Sequence, residues 1–345
     1  MKNLKTIHAA VDPSNPDDAV IGQAAEIIRR GGLVAFPTET VYGLGADAQN
    51  PEAVSRVYQV KGRPSDNPLI WHGNSLTDFE CIADFSTDRT CEPLSDAWAT
   101  SGIASNVQKL AKAFWPGPLT MVLPLLSEAG LIPCQKTIAI RVPSHPIIRA
   151  LIAASGCVIA APSANLSGRP SPTTAKHVIE DLNGAIEMII DGGPAQNGLE
   201  STVIDLSNGK VPQLLRPGAI TLEMLQDVIG EVAFSEFKVS EDAAPLSPGM
   251  KYRHYAPKAP LILVIGSPEA VSAKAKAFTT EGKAVGLLTT SNDTLETVAQ
   301  SLFGRLRQFD EMGVDVIVAE GVKEEGIGLA IMNRLKKAAA EVIYL

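Results

Sequence analysis

The chain has 345 residues, a length that suits two domains of about 100–200 residues each. Apolar residues make up 45% of it and charged residues 20%, enough for a sizeable core, which excludes disorder over most of the length. The formal charge of −8 argues against a broad nucleic-acid grip through phosphates, so an anion site must be a local cluster of cations on an acidic body.

From the start, MKNLKTIHAAVDPSNPDD lacks the apolar run of a secretory signal. Residues 19–32 (AVIGQAAEIIRRGG) read as a helix closed by Gly31 and Gly32. LVAFPTET then reads as a strand running into a loop. PEAVSRVYQVKGR opens with proline and carries apolar residues at helical spacing. Residues 106–115 (NVQKLAKAFW) repeat that pattern, with Asn106 as the expected cap. LTMVLPLL and TIAIRV read as buried strands, and VIAAPSAN as a strand spilling into a polar loop. The nearly apolar stretch 151–162 is broken by Ser155 and Gly156, and it is shorter than the about 20 residues a bilayer span needs. PTTAKHVIEDLNG reads as a short helix ended by Gly184, and EMIIDGG and STVIDLS as strands.

After Gly218 the texture changes. Residues 231–258 hold acidic, small and proline residues and then the basic patch SPGMKYRHYAPK, which reads as a linker. From 260 onward strand and helix alternate three times. PLILVIG is followed by a helix with Ser267 as cap and Pro268 at its first position, AVGLLTT by TLETVAQSLFGRLRQFDEMG, and VDVIVAEG by IGLAIMNRLKKAAA. That alternation predicts a small parallel α/β unit.

Several familiar motifs are missing. No G-x-G-x-x-G follows PLILVIG, so the C-terminal part shows no dinucleotide fingerprint. Gly193 and Gly198 have P-loop spacing, but Leu199 and Glu200 stand where Lys and Ser/Thr belong. There is no H-E-x-x-H and no G-x-S-x-G. Cys81, Cys91, Cys134 and Cys157 form no CxxC pair, which points to a reduced cytoplasmic setting without a structural zinc.

What remains is polar density in loops after strands, the position where α/β proteins bind ligands. PTETVYGLGADA (37–48) is one such loop, and a tight turn leading to a capped helix would explain it equally. KGRPSDNPLIWH (61–72) ends a helix on Lys61 and Arg63, where the dipole favours cations and their removal should cost only about 0.3–1 kcal/mol. Pro64 and Pro68 would stiffen the turn that follows. APSANLSGRPSPTT (161–174) crowds Ser163, Asn165, Ser167, Ser171, Thr173 and Thr174 before a helix start, which suits either an anion or a plain cap. Thr120, Arg141, Ser201 and Arg216 each stand against an apolar strand. Buried arginines need anionic partners, either a protein carboxylate or a bound anion.

Taken in order, PTETVYGLGADA, KGRPSDNPLIWH, FWPGPLTMVL, IAIRVPSHP, APSANLSGRPSPTT, LESTVIDL and LLRPGAI resemble the threonylcarbamoyl-AMP synthase family in its long form. They span about 36–220, PGMKYRHYAPKAPL looks like that family's linker, and GIGLAIMNRLKKAA looks like its C-terminal helix. Residues 84–106 match nothing usable.

The resemblance implies a fold: a YrdC-like twisted mixed sheet with helices around a concave cleft over 12–230, a linker or lid at 231–258, and a small Rossmann-like parallel α/β domain at 259–345. It also implies a reaction. L-threonine, bicarbonate or CO2 and ATP give threonylcarbamoyl-AMP and diphosphate, and a separate enzyme complex then modifies an adenosine of tRNA. It implies Lys61, Arg63, Ser163 and Asn165 as the catalytic group. Ser171, Arg216, His254 and Tyr255 join these around ATP, and Thr38, Tyr42, His72, Thr120, Arg141 and Ser201 surround threonine. Magnesium is expected with the nucleotide, held by phosphates and water more than by carboxylates. In the linker, Pro248 and Gly249 suit a hinge, Lys251, Arg253 and His254 a charged edge, and Tyr252 and Tyr255 a cover. A solvated basic tether is the plainer reading of the same residues. Rival readings are an RNA-holding module, or weak contact with tRNA beside catalysis, and another acyl-adenylating or carbamoyl-transferring enzyme. None involves a membrane.

Overall fold

The computed structural model describes residues 4–83, 102–126, 136–208, 210–234, 254–291 and 293–345. The expected hinge at Pro248 and Gly249, the linker residues Lys251, Tyr252 and Arg253, and most of the stretch 84–106 lie outside the described residues.

The first helix, α1 (Asp18–Arg29), follows strand β1 (Ile7–Ala10) and is capped by the Asp17 side chain, which accepts from the main-chain N–H groups of Ala19 and Val20. It leads to β2 (Val34–Phe36) and β3 (Gly43–Asp47). The sequence reading left 43–47 as polar loop, but it is a strand, antiparallel to β2. Its glycines permit this. A Cβ on Gly45 would stand 2.5 Å from the Phe36 ring, so only a bare backbone fits over that ring.

Helix α2 (Pro51–Lys61) ends at Gly62, whose φ of 60° reverses the chain toward β4 (Ile70–His72). A 3-10 turn, Leu76–Phe79, and α3 (Ile103–Phe114) follow. Asn106 is not the cap of α3. Gly102 is, because the apolar face runs back to Ile103, buried with Val107 and Leu110. Next come β5 (Leu119–Pro124), β6 (Thr137–Arg141), α4 (Pro146–Ser155), β7 (Ile159–Ala161), α5 (Ala175–Leu182), β8 (Met188–Asp191), β9 (Thr202–Asp205), β10 (Gln213–Arg216), α6 (Leu222–Ile229) and β11 (Ala233–Phe234).

Among the described residues these strands make one mixed sheet, in the order β1-β8-β2-β3-β7-β4-β6-β5-β9-β10-β11. Its centre brings the ends of β2, β4, β6 and β7 together: His72 is level with Arg141 on the parallel neighbour β6, and with Ile159 on antiparallel β7. One face packs on α1 and α4. A larger core fills the space toward α2, α3, α5 and α6.

The C-terminal unit has β12 (Leu261–Ile265), α7 (Pro268–Thr280), β13 (Val285–Leu288), α8 (Leu295–Met312), β14 (Val316–Glu320), α9 (Ile327–Ala338) and β15 (Glu341–Tyr344). Its strands are all parallel, in the order β13-β14-β12-β15, as the threefold alternation predicts. Ser267 and Pro268 start α7 as read. The core of this unit includes Leu199, and Val41 and Tyr255 from the walls of the site described next.

Candidate active site

A cleft of about 750 Å³, counting its open mouth, lies over the centre of the large sheet and reaches His254 and Tyr255 of the linker. Thr38, Tyr42, Lys61, Arg63, His72, Arg141, Ser163, Asn165, Ser171, Ser201, Arg216, His254 and Tyr255 all line it. Thr120 does not. It is fully buried behind the wall, 2.8 Å from the Ser201 hydroxyl, so it can act on a ligand only by orienting Ser201.

Lys61 is buried at the C-terminal end of α2, and its ammonium donates to the main-chain carbonyls of Ser163 and Asn165. Burial, with the Arg63 guanidinium nearby, holds its pKa well below the ordinary lysine value. The Arg63 guanidinium donates to the carbonyls of Asn67 (3.0 Å) and Pro68 (2.8 Å), and burial pushes its pKa down to about 10. The turn between Pro64 and Pro68 therefore supplies the carbonyls that hold it. Ser163 donates its hydroxyl to the Asn165 side-chain carbonyl (2.5 Å), and the Asn165 amide donates to the carbonyls of Leu166 and Arg169. The loop after β7 is thus tied to the Lys61 end of α2.

The rest of the cleft mixes hydroxyl and ring groups with the Glu39–Arg141 pair and Arg216. Thr38 donates to the Val41 carbonyl at 2.6 Å and shares a hydrogen bond with Thr40. Tyr42 donates to the Gly193 carbonyl at 2.6 Å, and burial raises its phenol pKa. His72 sits 3.0 Å from the Ile70 carbonyl through Nδ1, and burial and then Arg141 depress its pKa to about 3. Arg141 contacts the Glu39 carboxylate at 2.6 Å, both groups being buried. Burial pushes Glu39 up, but Arg141 outweighs it and the net shift is downward. Of the two partners foreseen for Arg141, the protein carboxylate is the one present. Arg216 donates to the Ser201 carbonyl (3.0 Å) and hydroxyl (3.1 Å). At the mouth, burial and then Arg63 lower the His254 pKa to about 4, and the Tyr255 ring stacks 5.2 Å from Phe303.

Two family models match the chain. The Sua5–YciO–YrdC model, described as telomere recombination, covers residues 26–218, and the model of the threonylcarbamoyl-AMP synthase C-terminal domain covers 220–340. A threonylcarbamoyl-AMP synthase of Bacillus subtilis is 46% identical, spanning 98% of each chain. The chain belongs to the threonylcarbamoyl-AMP synthase family. A Pyrococcus abyssi threonylcarbamoyl-AMP synthase is 48% identical over 92% of this chain and 93% of its own. The crystal structure of Pyrococcus abyssi Sua5 with L-threonine superposes with a TM-score of 0.87 at 45% identity, covering 99% of this chain and all of that one. The family's architecture, a mixed sheet joined to a small parallel one, is the fold the resemblance implied.

Sequence reasoning missed several groups that shape this family site. Glu39 stands inside the Thr-Glu-Thr run and was not assigned a part, although its spacing from an apolar strand resembles that of its neighbours. Glu200 appeared only as the residue that spoils a P-loop. It is buried, accepts from the Ser171 hydroxyl and pairs with Arg334. No local signal marks Arg334 or Arg307, because the carboxylates they pair with lie 134 and 126 residues away.

Proposed function

We propose that this chain is an L-threonylcarbamoyladenylate synthase. It makes threonylcarbamoyl-AMP and diphosphate from L-threonine, bicarbonate or CO2 and ATP, as a nucleotidyltransferase. The product would supply threonylcarbamoyladenosine modification of tRNA through a separate transfer complex, in the cytoplasm. The observation that carries this reading is the junction of Lys61 with the Ser163–Asn165 loop, in one cleft with Arg63 and with Thr38, His72, Arg141 and Ser201.

In this reading the threonine amine is carboxylated to a carbamate. A carbamate oxygen then attacks the α-phosphorus of ATP, and the bond to the bridging oxygen of diphosphate breaks. The protein has little covalent work, so positioning and charge neutralisation dominate. Lys61, Arg63 and Arg216 would face the phosphates, with Ser163, Asn165 and Ser171 as hydrogen-bond partners. His254 and Tyr255, at the edge of the linker, would cover the nucleotide. Among the described residues the His254 Nε2 atom is buried without a hydrogen-bond partner, which suits a ligand acceptor or donor. Thr38, Tyr42, His72, Arg141 and Ser201 would surround threonine, with Thr120 behind Ser201. The N–H groups of Arg141 not turned to Glu39, Thr40 or Gly117 are the donors left for the threonine carboxylate.

Magnesium belongs to this scheme as part of the MgATP substrate. The described residues contain no group of three or more His, Cys, Asp or Glu able to hold a metal. Glu200, the carboxylate on the cleft wall, is already bonded to Ser171 and Arg334. The catalytic unit would run over 12–230, the linker over 231–258 and the C-terminal unit over 259–345. No helix among the described residues is long and apolar enough to cross a membrane. Mass spectrometry of the reaction mixture tests the proposal: threonylcarbamoyl-AMP should form with carbon from labelled bicarbonate, and AMP without that adduct would contradict it.

A further inference from the structure

Two fully buried arginines reach from helices of the C-terminal unit into the walls of the cleft. Arg307 on α8 donates to the Pro170 carbonyl and pairs with Asp181 at 2.7 Å. Arg334 on α9 makes the more consequential set. Its Nε donates to the Glu200 carboxylate at 3.1 Å, one terminal nitrogen donates to the Pro217 carbonyl, and the other reaches the Glu200 carbonyl at 3.4 Å. The second Glu200 oxygen accepts from the Ser171 hydroxyl. Pro217 directly follows Arg216. The same guanidinium lies 5.9 Å from the centre of the Tyr255 ring, and Tyr255 is held at a φ of 65°, a conformation that a non-glycine residue keeps only under external constraint.

We propose that Arg334 is a positioning residue of the nucleotide side of the cleft: through Glu200 and the Pro217 carbonyl it fixes the Ser171 hydroxyl and the Arg216 guanidinium. The inference rests on the reading of that side as the ATP site.

Plain domain adhesion would not need this arrangement. A buried ion pair is a weak net stabiliser, and packed apolar side chains hold two surfaces together at least as well. Here the three acceptors sit together at the open end of one hairpin, Glu200 just before β9 and Pro217 just after β10, and they lie in directions that a planar fork can meet and an ammonium cannot. The loop leading into β9 also lies directly on the C-terminal unit: a Cβ on Gly198 would stand 2.3 Å from the Gln300 carbonyl oxygen on α8. Burial pushes Glu200 up, but Arg334, then Arg216 and the Ser171 hydroxyl, draw its pKa below the ordinary carboxylate value. Without Arg334, Arg216 is left as the nearest compensating charge for a buried carboxylate. Glu200 would then compete with the triphosphate for Arg216 and let go of Ser171.

The test uses the full chain with Arg334→Gln and Arg334→Lys, and Val271→Ala as comparator. Val271 is buried on α7, on the far face of the small sheet, so its truncation lowers stability without touching Glu200. ATP affinity is read by calorimetry, and KM and kcat by diphosphate release. Arg334→Gln should weaken ATP binding and raise the KM for ATP at least about tenfold, with the KM for threonine changed far less. Arg334→Lys should retain the fold yet weaken ATP binding about fivefold or more. Val271→Ala should melt earlier and bind ATP within about twofold of the unaltered chain. ATP affinity within about twofold of the unaltered chain in Arg334→Lys, or an equal loss in Val271→Ala, overturns the inference. If the unaltered chain releases no diphosphate with threonine and bicarbonate, the functional reading fails, while the ATP affinities still decide the role of Arg334.

Discussion

The Nδ1 atom of His72 lies 3.0 Å from the main-chain carbonyl of Ile70. Burial and then the neighbouring Arg141 keep the ring neutral, at a pKa of about 3, and a proton placed on Nδ1 is accepted by that carbonyl. Nε2 is then an acceptor in a cleft that also holds the Thr38 and Ser201 hydroxyls and Arg141.

That tautomer sets the amino-acid choice. A substrate hydroxyl can donate to Nε2, and valine leaves it unpaired, so valine should fall by roughly 10³-fold or more in kcat/KM. Serine keeps the hydroxyl and loses a methyl contact, a difference of about 10–200-fold. Steady-state diphosphate release with each amino acid measures both ratios. Valine turning over as fast as threonine would contradict the assigned tautomer's role.

The buried position of Lys61 changes what its removal should do to stability. An exposed helix-end cation would stabilise slightly, whereas this ammonium is buried and its pKa lies well below its unfolded value. The charged form is therefore disfavoured by folding. Lys61→Met should melt at or above the temperature of the unaltered chain and yet raise the KM for ATP by about 10²-fold. A lowered melting temperature with unchanged KM would reverse the assignment.

The depressed histidines predict an acid limit. His72, at about 3, and His177, at about 4, bind protons more readily in the unfolded chain than in the folded one. Their contribution is present above the ordinary histidine value and is lost as pH falls toward the folded-state values. At pH 5 each should have cost on the order of 2 kcal/mol. Urea unfolding at pH 7 and pH 5 measures it. His72→Gln should lose about 2 kcal/mol less over that interval than the unaltered chain, and an identical loss would contradict the shift.

Much of this architecture was legible because its signals are local. Pro268 after Ser267 starts α7 as read, and the threefold strand–helix alternation gives the parallel sheet directly. Helix α4 carried the same kind of signature, proline at its start and Gly156 in a left-handed cap, but its continuous apolar run hid the period. Strand β3 was missed because its two glycines signal a turn, and the Phe36 ring that makes them useful in a strand is a tertiary fact. The resemblance put Thr120 in the threonine pocket, and it lies buried behind the wall against Ser201. Arg307 and Arg334 look like ordinary basic residues of amphipathic helices until the two units are brought together.

Cutting the chain near residue 230 should therefore do more than remove a cover. Glu200 would lose its buried partner Arg334, at about 3–5 kcal/mol, Asp181 would keep Arg169 alone of its two arginines, and Tyr255 would be lost from the cleft. The fragment should melt earlier and release diphosphate poorly, and the C-terminal unit added without 231–258 should not restore it. Undiminished release by the fragment would reduce both the linker and the C-terminal unit to attachments.

The most direct test of the central claim is diphosphate release from ATP, with L-threonine and bicarbonate each omitted in turn. Release should require all three together and should fall with Lys61→Met and Arg63→Ala. Release that persists without threonine, or without bicarbonate in CO2-free buffer, would contradict the account.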